Sequence, residues 1–536
     1  MSEDAPPSTL PALLARITAT RAGHDAIATM TETVDYAGLD RRAAGFARAL
    51  LALGAGKGTH VALLAPDGIF WMSAFLGALR IGAVVTLVST LSTPRELAYM
   101  LRHSDVQILL AARRFLRHDY RQHLATAFPA LAGQPAGAVQ LPDAPYLRSI
   151  WLDDPSGLDW AGGIAALLRC GAELDARLLP AIEAEVTPGD DAVIVYTSGS
   201  TALPKAVIHT HGNLTCHPPA LARLFLVTPE DRMLPMLPAF WLGGLAMAMQ
   251  VLSQGATLVY PSSPDIETVL ATLQACRANR VNGWGDGLTR LRELAQSSGV
   301  DTDAITGLGP FRDADGVLIP PHLQSNMLGM SETFAPHSAE PINIRLPDNK
   351  PGASGRPVNH YERRVVNPET GLVVPPGDIG ELYLRGGALM RGLYKKSHAE
   401  VFTPDGFYPT GDLVRIDADD YLTFVARKGD MIKTRAANVS RLEVEAALNA
   451  LPGVKFAVVT GLPDAAFGQI VAAAVVPAAG ATPRAEALLE ALRATLSSYK
   501  VPRRLVFVTE EEIPRTATGK LKLHELAALL AGTAQV

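Results

Sequence analysis

Apolar positions along the first part of the chain switch between helical and strand spacing. Ala43–Leu53 repeats with the period of a helix, whereas Val61–Ala65 and Ala83–Val88 are short apolar runs of strand length. Ile69 to Leu91 is the longest greasy stretch, and Arg80 and Gly82 interrupt it. That break predicts a buried helix followed by the buried strand Ala83–Val88; a single membrane span is the alternative reading. Helix and strand alternate from about Ala26 to Leu91, the order of an α/β layered domain. Leu141–Asp190 is weakly patterned and holds several Gly, Pro and Asp clusters, so it is expected to be connecting structure.

Between the apolar runs Ala192–Val195 and Ala206–Ile208 stands Tyr196-Thr197-Ser198-Gly199-Ser200-Thr201-Ala202-Leu203-Pro204-Lys205. Glycine lets backbone N–H groups approach an anion, the hydroxyls of Thr197, Ser198, Ser200 and Thr201 add donors, and Lys205 adds positive charge. The segment reads as strand, phosphate-holding loop, strand. It is not a Walker A loop, because Pro204 precedes the lysine and β-branched Val207-Ile208 follow it. A polar surface turn is the plain alternative.

Further along, Thr210-His211-Gly212-Asn213 predicts a helix start, and Phe240-Trp241-Leu242-Gly243-Gly244-Leu245 sets small residues beside a large aromatic, as in a pocket wall or a buried core. His209, His211 and His217 lack the carboxylate or cysteine partners of a recognisable metal spacing. Leu328-Gly329-Met330-Ser331-Glu332-Thr333 places a hydroxyl beside a carboxylate, a pair suited to phosphate and Mg²⁺ together. Gly352 to Leu384 predicts a β subdomain, and Asp412 follows Thr410-Gly411 at a turn where it could accept ribose hydroxyls. Past Arg427-Lys428-Gly429-Asp430 a small α+β domain is expected. Ser440 and Glu443 form a capping box there, strands cover Phe456–Val459 and Ile470–Val476, and a helix runs Pro483–Leu496 with Thr482 as cap. It ends on the glycine-lysine loop Pro514–Lys520.

The 536 residues exceed one core and predict at least two domains, 1–428 and 429–536. A net charge of -5 without a lysine-rich run argues against a nucleic-acid partner. Three scattered cysteines fit neither a disulfide framework nor a zinc site, and with no signal-peptide pattern at the start they point to the cytoplasm. No integral membrane segment is expected, and a homodimer is left open.

Five segments, Tyr196–Lys205, Leu328–Glu332, Tyr408–Asp412, Arg427–Lys433 and Pro514–Lys520, stand in one order and together resemble the adenylate-forming superfamily, most like a bacterial acyl-CoA ligase. The resemblance covers nearly the whole chain. It implies an α/β fold: a large N-terminal domain of stacked α/β subdomains plus a β subdomain, followed by a small mobile α+β C-terminal domain that rotates between two half-reactions. In the first, a carboxylate attacks the α-phosphate of Mg-ATP to give an acyl-adenylate and pyrophosphate. In the second, a thiol, usually that of coenzyme A, displaces AMP. By the same resemblance Lys520 bridges acid and α-phosphate, Thr197, Ser198, Gly199, Ser200 and Thr201 with Lys205 hold the β- and γ-phosphates, and Gly329, Met330 and Ser331 line the nucleotide. Glu332 binds Mg²⁺, Asp412 and Arg427 take the ribose, Gly429 and Asp430 form the hinge, and Lys433 opens the loop presented for the thioester step.

The chain departs from the family pattern at Ala202 and Ala206, where glycines are common, at Leu328, at Gly429, and at Ala436 in the loop lining the pantetheine tunnel. The acyl pocket is expected around Trp241, Gly243, Gly244 and Trp284. None of these is charged, which favours an apolar acid over an amino acid, although Asp286 is nearby. Two alternatives stand beside the acyl-CoA ligase: transfer of the acyl group to a carrier-protein thiol, which Ala436 encourages, and a non-catalytic binding relative. Retention of Lys205, Glu332, Asp412, Arg427 and Lys520 argues against the second of these.

Overall fold

A computed structural model describes residues 6–197, 204–283, 286–428, 431–434, 437–465, 467–496, 500–516, 519 and 521–532. The chain divides into two compact units, Met1–Glu362 with Leu384–Tyr408, and Arg363–Tyr383 with Pro409–Val536. Lys428, the last residue of the expected first domain, belongs to the second unit.

In the first unit the strands His60–Leu64, Val84–Leu87, Ile108–Ala111 and Ser149–Leu152 lie parallel in an eight-stranded sheet, which Asp191–Thr197 continues in parallel beside Val84–Leu87. Both faces of this sheet are covered. Val61 and Leu63 pack into one core, with Val85, Phe75 and Leu79; Ala62 and Leu64 pack into the other, with Leu109 and Ile150. That is why these strands are apolar runs without polar alternation. A second, five-stranded sheet sets Arg280–Asn282, Arg232–Pro235, Thr257–Val259 and Asp25–Ala28 parallel, with Thr33–Asp35 antiparallel at its edge.

The stretch Ile69 to Leu91 resolves as the helix Ile69–Arg80 and the strand Val84–Leu87, with Gly82 at φ 68° turning the chain between them. No helix among the described residues is long and apolar enough to cross a membrane. Leu141–Asp190 is more ordered than expected: Ser149–Leu152 pairs with Ile108–Ala111, and the helices Ile164–Ala172 and Leu178–Ala184 follow. A four-residue strand that owes its place to neighbouring strands carries too short a pattern to announce itself.

The second unit holds a four-stranded sheet of Glu362–Val366, Ile379–Arg385, Tyr408–Ile416 and Leu422–Arg427, which begins at the unit boundary, and a five-stranded sheet built on Val454–Asp464 and Gly468–Pro477. Here too alternation serves two cores. Val459, Val471, Ala473 and Val475 face Leu448 and Leu492, while Val458, Ala472, Ala474 and Val476 face Leu526 and Leu530. The helix expected at Pro483–Leu496 spans Ala485–Thr495 with Arg484 at its N-cap and no side-chain cap bond, so Thr482 does not cap it. Glu443 accepts from Lys500 Nζ at 2.6 Å, and Ser440, the other half of the expected capping box, lies outside the described side chains.

The helix Tyr36–Ala52 is approached at backbone range by two others, each through a glycine. A Cβ on Gly77 would lie 2.5 Å from Phe46 Cβ and 2.7 Å from Ala43 O, and one on Gly171 would lie 2.4 Å from Ala49 N. Overpacking of this kind costs about 1–3 kcal/mol. Gly77→Ala is therefore expected to lower the denaturant midpoint of the first unit, and an unchanged midpoint in urea unfolding would show that the helices can separate without loss.

Candidate active site

Ser331–Thr333 forms a single 3-10 turn between the strands Leu328–Met330 and Ala335–Ala339. Those strands pair antiparallel, and a Cβ on Gly329 would sit 2.5 Å from Ala335 O, so glycine is what lets them close. The chain leaves the turn through Phe334 at φ 51° and Ala335 at φ 94°, two consecutive non-glycine residues in the left-handed region, each costing about 1–3 kcal/mol. The price is met by contacts around the turn. Glu332 is buried and its Oε1 accepts from the Tyr408 hydroxyl at 3.1 Å; its backbone oxygen accepts from Met390 N–H at 2.7 Å. His209 Nε2 lies 2.7 Å from Ser331 O, and the Tyr361 hydroxyl donates to Thr333 O at 2.9 Å.

The strands Asp191–Thr197 and Lys205–Thr210 pair antiparallel, with Thr197 opposite Lys205. The sequence expectation of strand, loop, strand thus places both ends of the phosphate loop side by side. Ser198, Gly199, Ser200 and Thr201 lie outside the described residues. The side chains of the helix Pro94–His103 meet both ends of the loop: His103 Nδ1 is 2.9 Å from the Tyr196 hydroxyl, and the Tyr99 hydroxyl reaches Pro204 O at 3.5 Å. Ala206 is not an idle departure from glycine, since its methyl is buried with Val84, Ile194 and Ile208.

In the second unit Asp412 and Arg427 are partners on neighbouring strands, and Arg427 Nε lies 2.7 Å from Asp412 Oδ1. Arg427 also donates to Thr410 O at 3.0 Å, and the Asp412 N–H donates to Thr410 Oγ1 at 3.0 Å. Asp412 is almost fully buried while the arginine is half exposed, so the pair leaves cationic surface beside a fixed carboxylate. Lys433 lies on the strand Met431–Thr434, but its side chain is outside the description, as are Gly429, Asp430 and Lys520. Near that position, Lys522 N–H donates to Pro514 O at 2.9 Å and Gly519 takes φ 79°, while Ala517 and Thr518 also lie outside the described residues.

Trp241 caps the helix Leu242–Gln254 and packs edge-on against Phe240 at 5.2 Å. Trp241 and Gly243 are partly exposed, whereas Gly244 is buried and has a backbone reason to be glycine: a Cβ there would lie 2.2 Å from Pro238 O. Trp284 is outside the described residues. Asp67 was not anticipated. Its two carboxylate oxygens lie 3.1 and 3.0 Å from Ala239 N, and burial pushes its carboxyl up to about 7 against the pull of that hydrogen bond.

The AMP-binding enzyme family model matches residues 14–394, and that of the AMP-binding enzyme C-terminal domain matches residues 443–520. The chain belongs to the AMP-binding enzyme family. It is an adenylate-forming protein, as the five ordered segments implied. Among curated relatives it is similar to the 3-hydroxybenzoate–CoA/4-hydroxybenzoate–CoA ligase of Thauera aromatica, 29% identical over 520 residues covering 94% of this chain and 93% of the relative. It is likewise similar to the long-chain-fatty-acid–CoA ligase FadD13 of Mycobacterium tuberculosis, 29% identical over 91% of each chain. Among solved structures, ATP-bound MatB from Rhodopseudomonas palustris superposes with a TM-score of 0.74 at 25% identity, covering 97% of this chain and 99% of that one.

The donor chemistry of this AMP-binding enzyme fits Mg²⁺. No group of three or more ligating side chains gathers among the described residues, and a buried carboxylate beside a hydroxyl residue is what an ion held mainly by substrate phosphates and water requires. Of the groups that hold the Glu332 turn, the sequence names Tyr408 only as the start of the segment Tyr408–Asp412, without a role, and does not point to Tyr361 or to the role of His209. Only Tyr408 had a signal, its place two residues before Thr410 on one strand.

His209, His211 and His217 are fully buried, and burial pushes each imidazole down to about 4. His209 and His217 pack edge-on against Phe334, and His211 Nδ1 accepts from Leu10 N–H at 3.3 Å. They are neutral core groups in the folded chain. Between the ordinary value of 6.5 and about 4 the unfolded chain binds protons that the folded chain refuses, so stability falls as the pH falls through that window. The slope is about 1.4 kcal/mol per pH unit for each histidine. Urea midpoints measured from pH 6.5 to 5 are expected to drop steeply in the wild type and less so in His217→Gln; equal slopes would mean that His217 is not buried neutral.

Proposed function

We propose that this AMP-binding enzyme converts an apolar carboxylic acid, fatty, alicyclic or aromatic, to its coenzyme A thioester through an acyl-adenylate. As a family member it is an AMP-forming acid-thiol ligase, and it works with ATP, Mg²⁺ and coenzyme A. The observation that carries the substrate class is the character of the segment Pro238–Met247. Its residues are apolar or glycine, so the segment itself offers no charged group. An amino-acid substrate would set its ammonium group against this apolar wall, and a buried charge without a partner is costly. Relatives named for hydroxybenzoate and for long-chain fatty acids support the same class.

In this reading the acid's carboxylate oxygen attacks the α-phosphorus of ATP, the bond to pyrophosphate breaks, and the thiol sulfur then attacks the acyl carbon to release AMP. Lys520 offsets the repulsion between carboxylate and α-phosphate, which is stabilisation of charge where it develops. Thr197, Ser198, Gly199, Ser200 and Thr201 with Lys205 hold the β- and γ-phosphates, Gly329, Met330 and Ser331 line the nucleotide, and Ser331 donates to phosphate. Glu332 would hold Mg²⁺, which would supply positive charge against that of the departing pyrophosphate. Asp412 accepts a ribose hydroxyl and Arg427, already fixed against it, donates to one. Trp241, Gly243 and Trp284 border the acyl chain. Gly429 and Asp430 act as the hinge and Lys433 opens the loop for the thioester step.

Acid-dependent exchange of pyrophosphate into ATP is expected with apolar acids and not with amino acids; exchange across neither group would sink the reading. Lys520→Ala is expected to slow adenylation on the order of 100- to 1000-fold. Thioester formation from supplied acyl-adenylate should be little changed in that variant. Equal loss in both half-reactions would remove Lys520 from the first step alone.

A further inference from the structure

The strand Lys205–Thr210 and the turn that carries Glu332 are joined by His209, whose Nε2 lies 2.7 Å from Ser331 O. Alternation along Lys205–Thr210 puts Lys205, Val207 and His209 on one face. Val207 on that face is buried among Tyr361, Met390 and Tyr408, with Met330 packed against the same cluster. Ala206 and Ile208 point the other way, into the cluster with Val84 and Ile194. The face bearing Lys205 is therefore the one turned to the Glu332 turn, and His209, four residues on, reaches across to it.

Each carbonyl of the turn has its own donor. His209 Nε2–H serves Ser331 O at 2.7 Å, Met390 N–H serves Glu332 O at 2.7 Å, and the Tyr361 hydroxyl serves Thr333 O at 2.9 Å. His209 is held edge-on by Phe334 with ring centres 5.0 Å apart, and Phe334 is one of the two left-handed residues that end the turn. A turn leaving through two strained residues relaxes unless its neighbours over-determine it. A carboxylate on it would then wander relative to Lys205.

We propose that His209 and Tyr361 are positioning residues for adenylation, clamping the Ser331–Thr333 carbonyls so that the Glu332 carboxylate is held at a fixed spacing from Lys205 for Mg²⁺ and the ATP phosphates. The proposal rests on the reading of Glu332 as the carboxylate that holds Mg²⁺. Neither residue touches substrate; each acts on the ligand through the backbone that carries it, and groups of this kind affect metal affinity or activity about 10- to 100-fold.

The test compares Tyr361→Phe, His209→Leu, His209→Gln and Glu332→Gln in the full chain. Pyrophosphate exchange is followed against free Mg²⁺ at saturating ATP and acid, and Mn²⁺ binding is read by paramagnetic resonance with a non-hydrolysable ATP analogue present. Tyr361→Phe and His209→Leu are expected to raise the half-saturating metal concentration on the order of 10-fold in both measurements. The acid KM should stay unchanged, and His209→Gln, which restores an N–H donor, should recover much of the loss. If Glu332→Gln shifts metal binding while Tyr361→Phe and His209→Leu do not, the clamp is wrong and the role of Glu332 stands. If Glu332→Gln itself leaves metal binding unchanged, both fall. Loss of thermal stability in His209→Leu would leave Tyr361→Phe, which removes a single oxygen, to decide; a normal metal dependence in that variant would overturn the proposal.

Discussion

A carboxylate taken out of water has to find hydrogen bonds or a counter-charge, because an unpaired buried charge costs several kcal/mol. Glu332 lives under that constraint: one hydroxyl meets its carboxylate, and further contacts fix the turn that carries it. The Tyr408 hydroxyl holds one oxygen, Met390 N–H holds the backbone beneath it, and Gly329 lets the flanking strands come close enough to expose so short a turn. The left-handed Phe334 and Ala335 are the cost of ending the turn abruptly, and the packing of Phe334 between His209 and His217 keeps it in place.

The loop proposed to hold phosphate answers the same problem in another way. Its ends are fixed by the pairing of Thr197 with Lys205, so the charge on Lys205 is carried by a strand edge and not by a free tether. That strand is anchored in an eight-stranded sheet buried on both faces, which gives the loop a stiff base. In the second unit a similar logic fixes Asp412: register on neighbouring strands brings Arg427 to it, and Thr410 meets both, its carbonyl accepting from Arg427 and its hydroxyl oxygen from the Asp412 N–H. Lys205, Asp412 and Arg427 thus stand on strands, where sheet geometry sets the position of the backbone that carries them.

Much of this was legible in the chain. Val61–Ala65 and Ala83–Val88 announced buried strands because both faces are covered, and the break at Arg80-Gly82 separated helix from strand because a charge and a left-handed glycine end helices. The strands on either side of the loop followed from the apolar runs Ala192–Val195 and Ala206–Ile208, while their antiparallel pairing is a finding of the structure. Ser149–Leu152 was missed because four residues cannot show a period, and its place is set by Ile108–Ala111 lying ready to pair. Thr482 was wrongly expected to cap a helix that in fact begins after Arg484. A Thr-Pro pair marks a helix start only to within a residue or two, and the apolar face of this helix, with Leu488 and Leu492 buried, lies beyond it.

By itself the sequence determined the layered α/β order, the family through five ordered segments, and the chemical inventory of hydroxyls, lysines and carboxylates. These are local properties, written in spacing and residue type. Only the tertiary structure decided that His209 is a buried donor to Ser331 O, that Tyr361 and Tyr408 brace the Glu332 turn, that Asp67 is spent on Ala239, and that Gly244 is demanded by backbone contact. The hydrogen bonds among them join residues 28 to 172 positions apart, and the Gly244 contact depends on how the chain folds back onto Pro238; no periodicity in one segment encodes what another will bring against it.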